Sequence, residues 1–274
     1  MAYCSRHPAG VARPAPNMPA AQPVSKRGAP HRRSPWRPKI VISAAVVAVV
    51  LVGAAIFATI QRAHQPTDTP EASPPTTSTQ PPLTKAALDG VLLSIGELNG
   101  IVGSTQMTIT SDLQEMTDHS GDVSDHDCLG AIYGAEKPVY AGSGWTDMRD
   151  QVAREPGDNN AHWVEQTAVL YPSAEQAQSF FHESQLQWEN CAGQSISVKE
   201  AGSTSLWQLD DVKAEDILIS QMSTQKDAGG WACQHALSVV SNLTVEAFAC
   251  GYSIHAEAAT MANKMIANAT KTKE

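Results

Sequence analysis

Apolar residues are distributed along this chain in three ways, and each predicts a different element. Positions 40–60, IVISAAVVAVVLVGAAIFATI, run for 21 residues without a charge, Asn, Gln or Pro. As a helix that run is about 31 Å long, which matches a bilayer core of roughly 30 Å. A buried helix of a globular core would show a polar face, and this one has none. It therefore reads as a transmembrane helix. A cleaved signal peptide has a shorter apolar stretch behind a short basic head. Here the head is 39 residues, and Ile60-Gln61-Arg62 offers no small-x-small cleavage site. An uncleaved signal anchor is expected.

Beyond the membrane segment the apolar periods are those of strands and amphipathic helices. Residues 161–171, AHWVEQTAVLY, are rich in β-branched and aromatic residues and end at Pro172, which predicts a strand. Ser94-Ile95-Gly96-Glu97 and Ser173-Ala174-Glu175-Gln176 are capping-box patterns that open helices. The first helix should end near Gly100 or Gly103. In the second, Ala177, Phe180, Phe181, Ser184, Trp188 and Cys191 fall on one face. A last helix, capped by Ser253, aligns Ile254, Ala258, Met261, Ala262, Met265, Ile266 and Ala269. Further strands are expected near 195–199, 204–209 and 216–222, and the polar stretch 108–128 reads as a loop. Helices interspersed with consecutive strands joined by short turns predict an α+β domain: an antiparallel sheet with packed helices.

Residues 234–240 and 243–249 read as a hairpin across a two-residue Ser241-Asn242 turn. Counting outward from that turn, Val240 faces Leu243, and each step adds one residue to either side. Cys233 then falls opposite Cys250, at a spacing a disulfide spans. By elimination Cys128 pairs with Cys191. On a loop-entropy account the two bridges contribute about 3 and 4 kcal/mol. Free buried thiols or a four-cysteine zinc site are the competing readings, and the missing C-x-x-C spacing speaks against zinc.

Charge and composition set the topology. Residues 1–39 hold eight basic residues and no acidic one, whereas residues 40–274 hold 11 basic and 28 acidic. Basic flanks stay in the cytoplasm, so the N-terminus should be inside and the C-terminal domain outside. Four cysteines then lie on the oxidising side, and Cys4 lies on the reducing side as a free thiol. The organisation expected is a disordered basic cytoplasmic tail at 1–39, a transmembrane helix at 40–60, a Pro/Thr/Ser-rich linker at 61–83, and an extracytoplasmic domain at 84–270. Beside anionic lipid, the tail is expected to rest on the inner leaflet rather than on nucleic acid.

Catalytic motifs are sparse. Ser223-Thr224-Gln225-Lys226 matches S-x-x-K, but its S-D-N and K-T-G companions are missing. Asp118, His119, Asp122, Asp125, His126 and Asp127 crowd one loop without a metal-site spacing, so a solvated acidic loop is expected. No catalytic residue, metal or cofactor is assigned. Asn242-Leu243-Thr244 and Asn268-Ala269-Thr270 match the N-glycosylation sequon. Of the tryptophans, Trp188 is expected inside, and Trp163 and Trp207 are the candidate cleft residues.

Several of these residues carry a resemblance. They are Leu92-Leu93-Ser94 before Glu97-Leu98-Asn99, an isolated Cys128, Val169-Leu170-Tyr171-Pro172-Ser173, Trp188-Glu189-Asn190-Cys191, and Gly229-Gly230-Trp231-Ala232-Cys233-Gln234-His235-Ala236. With Asn242 and Cys250 they resemble the PknH-like extracellular sensor domains of mycobacterial receptor kinases and their stand-alone, kinase-less relatives. The resemblance spans roughly residues 84–270. It implies a mixed α/β fold, the pairs Cys128–Cys191 and Cys233–Cys250, and a cleft for a cell-envelope ligand. A 39-residue tail is too short for a kinase, so phosphotransfer is not expected of this chain.

The reading is of a membrane-anchored extracytoplasmic sensor-like module that is not an enzyme. Its partners would be membrane lipid through the helix and an envelope small molecule, lipid or glycan. An accessory partner of another membrane protein is the second reading, and an envelope hydrolase the third.

Overall fold

The computed structural model describes residues 81–157, 161–200 and 202–271. The tail, the 40–60 segment, Cys4 and all but the end of the linker lie outside the described residues. Among the described residues, no helix is long and apolar enough to cross a membrane.

Nine strands form one antiparallel sheet among the described residues. They are β1 (Thr108–Leu113), β2 (Asp147–Arg154), β3 (His162–Leu170), β4 (Ser195–Glu200), β5 (Ser203–Leu209), β6 (Lys213–Ala214), β7 (Leu218–Gln225), β8 (Ala232–Val240) and β9 (Leu243–Gly251). Their order is β1-β2-β3-β9-β8-β7-β5-β4, with the short β6 paired to β7. The helices are α1 (Leu88–Val91), α2 (Ile95–Val102), α3 (Leu129–Ile132), α4 (Lys137–Tyr140), α5 (Ala174–Cys191) and α6 (Glu257–Lys271).

The β8–β9 hairpin lies at the centre of the sheet. Its turn is at Ser241-Asn242, Val240 pairs with Leu243, and Cys233 pairs with Cys250. Ser241 has φ 50°, the positive first central residue of a type II′ turn. β9 is buried along its whole length, because helices cover both faces of the sheet. On one face, Ala236, Val245, Ala247 and Ala249 pack with Met261, Met265 and Ile266 of α6. On the other, Leu237, Val239 and Ile219 pack with Phe180, Phe181 and Trp188 of α5. Small residues under α6 and large ones under α5 let both helices seat on one pleated ladder.

The predicted helical faces are borne out except at Ile254, which precedes the last helix and is buried in the core that helix packs on. Ala177, Phe180, Phe181, Ser184, Trp188 and Cys191 are the buried residues of α5. Ala258, Met261, Ala262, Met265, Ile266 and Ala269 are those of α6. The Ser94–Glu97 capping box forms in both directions, and α2 ends at Gly103 in the left-handed region. Both disulfides form, Cys128–Cys191 and Cys233–Cys250, with Cα atoms 5.7 and 4.0 Å apart.

Three expectations are corrected. The polar stretch 108–128 is not all loop: it contains β1 and a 3-10 turn at His126–Cys128. β1 is an exposed edge strand, so it carries no apolar alternation to announce it. β2 was not foreseen, since only Met148, Asp150 and Ala153 of it are buried. The ladders to β1 and β3 hold it, and Arg149 bridges Asp89 and Asp112 at 3.0 and 2.9 Å. Ser253 does not cap the last helix, because α6 starts at Glu257. There the Glu257 carboxylate turns back to accept the His255 and Ala256 N–H groups.

Two buried amide side chains fasten the incoming chain to the sheet. Asn242 Oδ1 accepts the Leu83 N–H at 2.7 Å, and its Nδ2 donates to the Leu83 and Tyr171 carbonyls at 3.1 and 2.9 Å. Gln166 does the same for Leu93, accepting its N–H at 2.7 Å and donating to its carbonyl at 3.0 Å. Asn242 is 4% exposed and Thr244 fully buried, which closes the Asn242-Leu243-Thr244 sequon to modification of the folded domain. Asn242→Ala leaves three buried backbone groups unpaired, a loss of about 2–4 kcal/mol. Thermal melting should drop by roughly 5–15 °C, with new protease cutting between residues 83 and 93. An unchanged melt would show that the turn amide does not hold the entering chain.

Candidate functional site

Three features stand out on the α5 face of the sheet. The first is an aromatic end. Register places Trp163 opposite Cys250, Cys250 opposite Cys233, and Cys233 opposite Ser223. One step outward, Trp207 faces Gln225, whose N–H donates to the Trp231 carbonyl. Directly paired residues of an antiparallel ladder share a face. Trp163, Trp207 and the hairpin disulfide therefore gather at one end of one face. Trp163, Trp207 and Trp231 are half-buried around Cys233, Cys250 and Phe248. Tyr252, 63% exposed, meets Trp231 edge-on with ring centres 5.2 Å apart. The Trp207 indole N–H donates to Ser205 Oγ at 3.0 Å.

The second feature is a buried acidic row toward the middle of that face. Asp150, Thr167 and Glu246 lie side by side across β2, β3 and β9. Thr167 donates its hydroxyl to Asp150 Oδ1 at 2.7 Å, and Tyr140 donates its own to Glu246. Glu165 shares a hydrogen bond with Asp150. Burial, then the Asp150 charge, pushes Glu165 well above the carboxylate range. It thus holds the proton that its neighbour accepts. Burial also pushes Asp150 up to about 6. Gly134 lies over this row: a Cβ there would come within 3.0 Å of Glu246 Oε2 and 3.2 Å of the Phe248 ring. His235 is stacked between Phe248 and Trp188, with ring centres 3.7 and 4.0 Å away. Its Nε2 is 3.4 Å from Glu246 Oε2 without hydrogen-bond alignment. Burial lowers its pKa, so the ring is neutral.

At the border of this row, the His119 ring pairs with the buried Glu136 carboxylate and stacks on Tyr133. Glu136 also accepts the Thr117 hydroxyl and the His119 N–H. The hydrogen bond to Glu136 raises the His119 pKa.

The third feature is a shallow groove of about 450 Å³ along the Cys128–Cys191 bridge, lined by Asp125, Asp127, Glu183, Leu186 and Asn190 among others. Leu186 is 62% exposed at its rim.

The sequence candidates are distributed unevenly over these places. Trp163 and Trp207 come together at the aromatic end. Trp188 is buried at 2% exposure. The acidic loop is divided: Asp125 and Asp127 line the groove, and His119 turns to Glu136. Ser223 is buried within β7 and faces Cys233, far from a helix start. Ser104 and His162 both bond to Glu155 rather than to each other, so they form no nucleophile–base pair. Among the described residues, no three His, Cys, Asp or Glu side chains are placed to hold a metal ion. Sequence reasoning missed Trp231, although its spacing of two from Cys233 puts both on one face of an extended strand. It also missed Glu246, a lone carboxylate inside the apolar run Thr244-Val245-Glu246-Ala247-Phe248.

A two-disulfide antiparallel sheet with both faces covered defines a small α+β domain of the kind found outside cells. The chain belongs to the PknH-like extracellular domain family, whose sequence model matches residues 83–268. The serine/threonine-protein kinases PknH of Mycobacterium bovis and Mycobacterium tuberculosis are each 35% identical to it over 253 residues, or 92% of this chain. The chain spans 40% and 38% of the lengths of those relatives. The crystal structure of the extracellular domain of PknH from Mycobacterium tuberculosis superposes with a TM-score of 0.67 at 37% identity, covering 69% of this chain and 98% of that one.

The acidic row fixes a pH response. A carboxyl whose pKa is higher folded than unfolded stabilises the fold below its unfolded value and loses that contribution as pH rises through the folded one. His119, also raised by folding, acts in the same direction, whereas the neutral His235 adds stability as pH rises through its unfolded value. The Asp150 contribution should therefore disappear between about pH 4 and about 6. It is on the order of 3 kcal/mol. Asp150→Asn should flatten the stability–pH curve in that window and raise stability at pH 7. Urea denaturation at a series of pH values measures this, and an identical pH slope in both proteins would refute the assignment.

Proposed function

We propose that this chain is a membrane-anchored, extracytoplasmic ligand-binding module of the cell envelope, sensor-like and without catalysis of its own. The carrying observation is the half-exposed aromatic end, built around a disulfide on a domain that belongs to an extracellular-domain family. Half-buried indoles packed around a rigid, cross-linked strand pair form a preorganised contact surface with little conformational entropy to lose on binding. The 40–60 segment supplies the anchor, and the basic residues ahead of it set the domain outside. The 1–39 tail, the linker and the domain keep the boundaries given above. The lack of a nucleophile–base pair or metal cluster among the described residues supports a binding role over the hydrolase reading.

A second reading, an accessory partner of another envelope protein, draws on the acidic groove and the exposed Leu186, which suit a basic protein surface. The discriminating experiment is a thermal melt of residues 83–274, disulfides intact, against fractionated envelope lipids, glycans and metabolites. A ligand at about a hundred times its Kd adds about 2.7 kcal/mol, which for this size is roughly 5–10 °C. A shift of that size from one fraction is the expected result. No shift from any fraction, with a stoichiometric protein co-purifying instead, would replace the ligand-binding reading by the accessory one.

A further inference from the structure

The two ends of the β8–β9 hairpin do different things. At the turn, Asn242 holds Leu83, the point where the chain enters the domain from its linker side. The far end of α6 returns to the same side, where Asn268 Nδ2 donates to the Val91 carbonyl. The opposite end carries Cys233–Cys250, Trp163, Trp207, Trp231 and Tyr252. The two ends are separated by the strand from Val240 back to Cys233, about 23 Å at roughly 3.3 Å per residue. The tether thus enters at one end of the sheet, and the aromatic cluster lies at the other, facing away from the point of attachment.

Resting on the ligand-binding reading above, we propose that the aromatic end binds an uncharged glycan chain of the wall beyond the membrane, through stacking on Trp163, Trp207, Trp231 and Tyr252. Three observations carry this. The first is position: the aromatic end lies at the end of the sheet opposite Leu83, the residue by which the chain enters the domain. The second is charge. Residues 40–274 carry 28 acidic and 11 basic side chains, which repels phosphate headgroups and other polyanions and leaves neutral polymers unpenalised. The third is the chemistry of the surface. A pyranose ring offers a flat face of C–H groups, bearing the positive edge that a π-face attracts, with hydroxyls around its rim. Half-exposed indoles supply such faces. Arg154, opposite Trp163, and Gln225, opposite Trp207, share the same face of the sheet and provide hydrogen-bonding groups beside them. An acyl chain would instead need an enclosed apolar cleft, and Tyr252, at 63% exposed, stands open to solvent.

The test uses the full chain in phosphatidylcholine nanodiscs. Tryptophan fluorescence is titrated with soluble β-linked oligosaccharides of glucose, galactose and N-acetylglucosamine, and in parallel with a water-soluble short-chain phosphatidylglycerol. One oligosaccharide class should alter the emission saturably. Tyr252→Ala and Trp231→Ala should each weaken it about tenfold, whereas Leu186→Ala in the acidic groove should leave it unchanged. Tyr252 is exposed enough that its variant keeps the fold, so a misfolded Trp163→Ala would not blunt the test. Binding of the phosphatidylglycerol instead, lost in the same variants, overturns the glycan assignment and leaves the binding module intact. So does silence from every oligosaccharide while an envelope fraction still shifts the melt. Silence from all probes and all fractions overturns both the glycan and the ligand-binding reading.

Discussion

The β8–β9 register is the constraint on which the rest of this domain depends. A two-residue turn admits one pairing, and a one-residue slip would turn every side chain of both strands to the opposite face. With Val240 against Leu243, the small residues Ala236, Ala247 and Ala249 face α6, and Leu237, Val239 and Phe248 face the other side. The same register brings Cys233 to Cys250, and it lays Glu246 beside Thr167 and Asp150 on the neighbouring strands. The turn residue Asn242 then fastens Leu83. One hairpin thus sets the two cores, the cross-link, the acidic row and the entry of the chain.

The acidic row shows how a sheet face tolerates charge. Carboxylates taken out of water are costly unless they are hydrogen-bonded or protonated. Here both solutions occur within a few residues. Tyr140 and Thr167 donate to Glu246 and Asp150, Glu165 keeps its proton, and Glu136 takes its donors from His119 and Thr117. His235 is held neutral between two aromatic rings. Short helices and turns between Thr117 and Tyr140 seal this patch, and at Gly134 the backbone comes close enough that a side chain there would strike Glu246 and Phe248. The binding surface proposed at the aromatic end adjoins this patch through Phe248, which touches both.

The extracellular domain of PknH offers the same overall framework at 37% identity, and the shared part is the domain rather than the whole relative. Within that framework the two disulfides have different work. Cys128–Cys191 joins the polar segment before α3 to the end of α5 across 63 residues of chain. It limits the unfolded ensemble by closing a long loop of chain. Cys233–Cys250 closes 17 residues that the hairpin already aligns. It stiffens the end of the central strands where the aromatic side chains gather.

What the sequence alone determined was whatever followed from periodicity and local counting. The buried stripes of α5 and α6, the capping box at Ser94, the β3 strand and the Cys233–Cys250 pair all come from spacings within a few residues, where helix pitch and strand alternation act directly. Trp163 and Trp207 were legible as residues but not as neighbours, since 43 positions of chain separate them and only the strand order β3-β9-β8-β7-β5 brings them to one end. β1 and β2 were invisible because an edge strand and its neighbour, paired by backbone hydrogen bonds and ion pairs, need no apolar alternation. The convergence of Asp150, Glu165 and Glu246, the clamps of Asn242 and Gln166, and the separation of the tether end from the aromatic end were decided by tertiary structure. Each depends on which strands lie side by side, and that is fixed by long-range packing rather than by any local pattern.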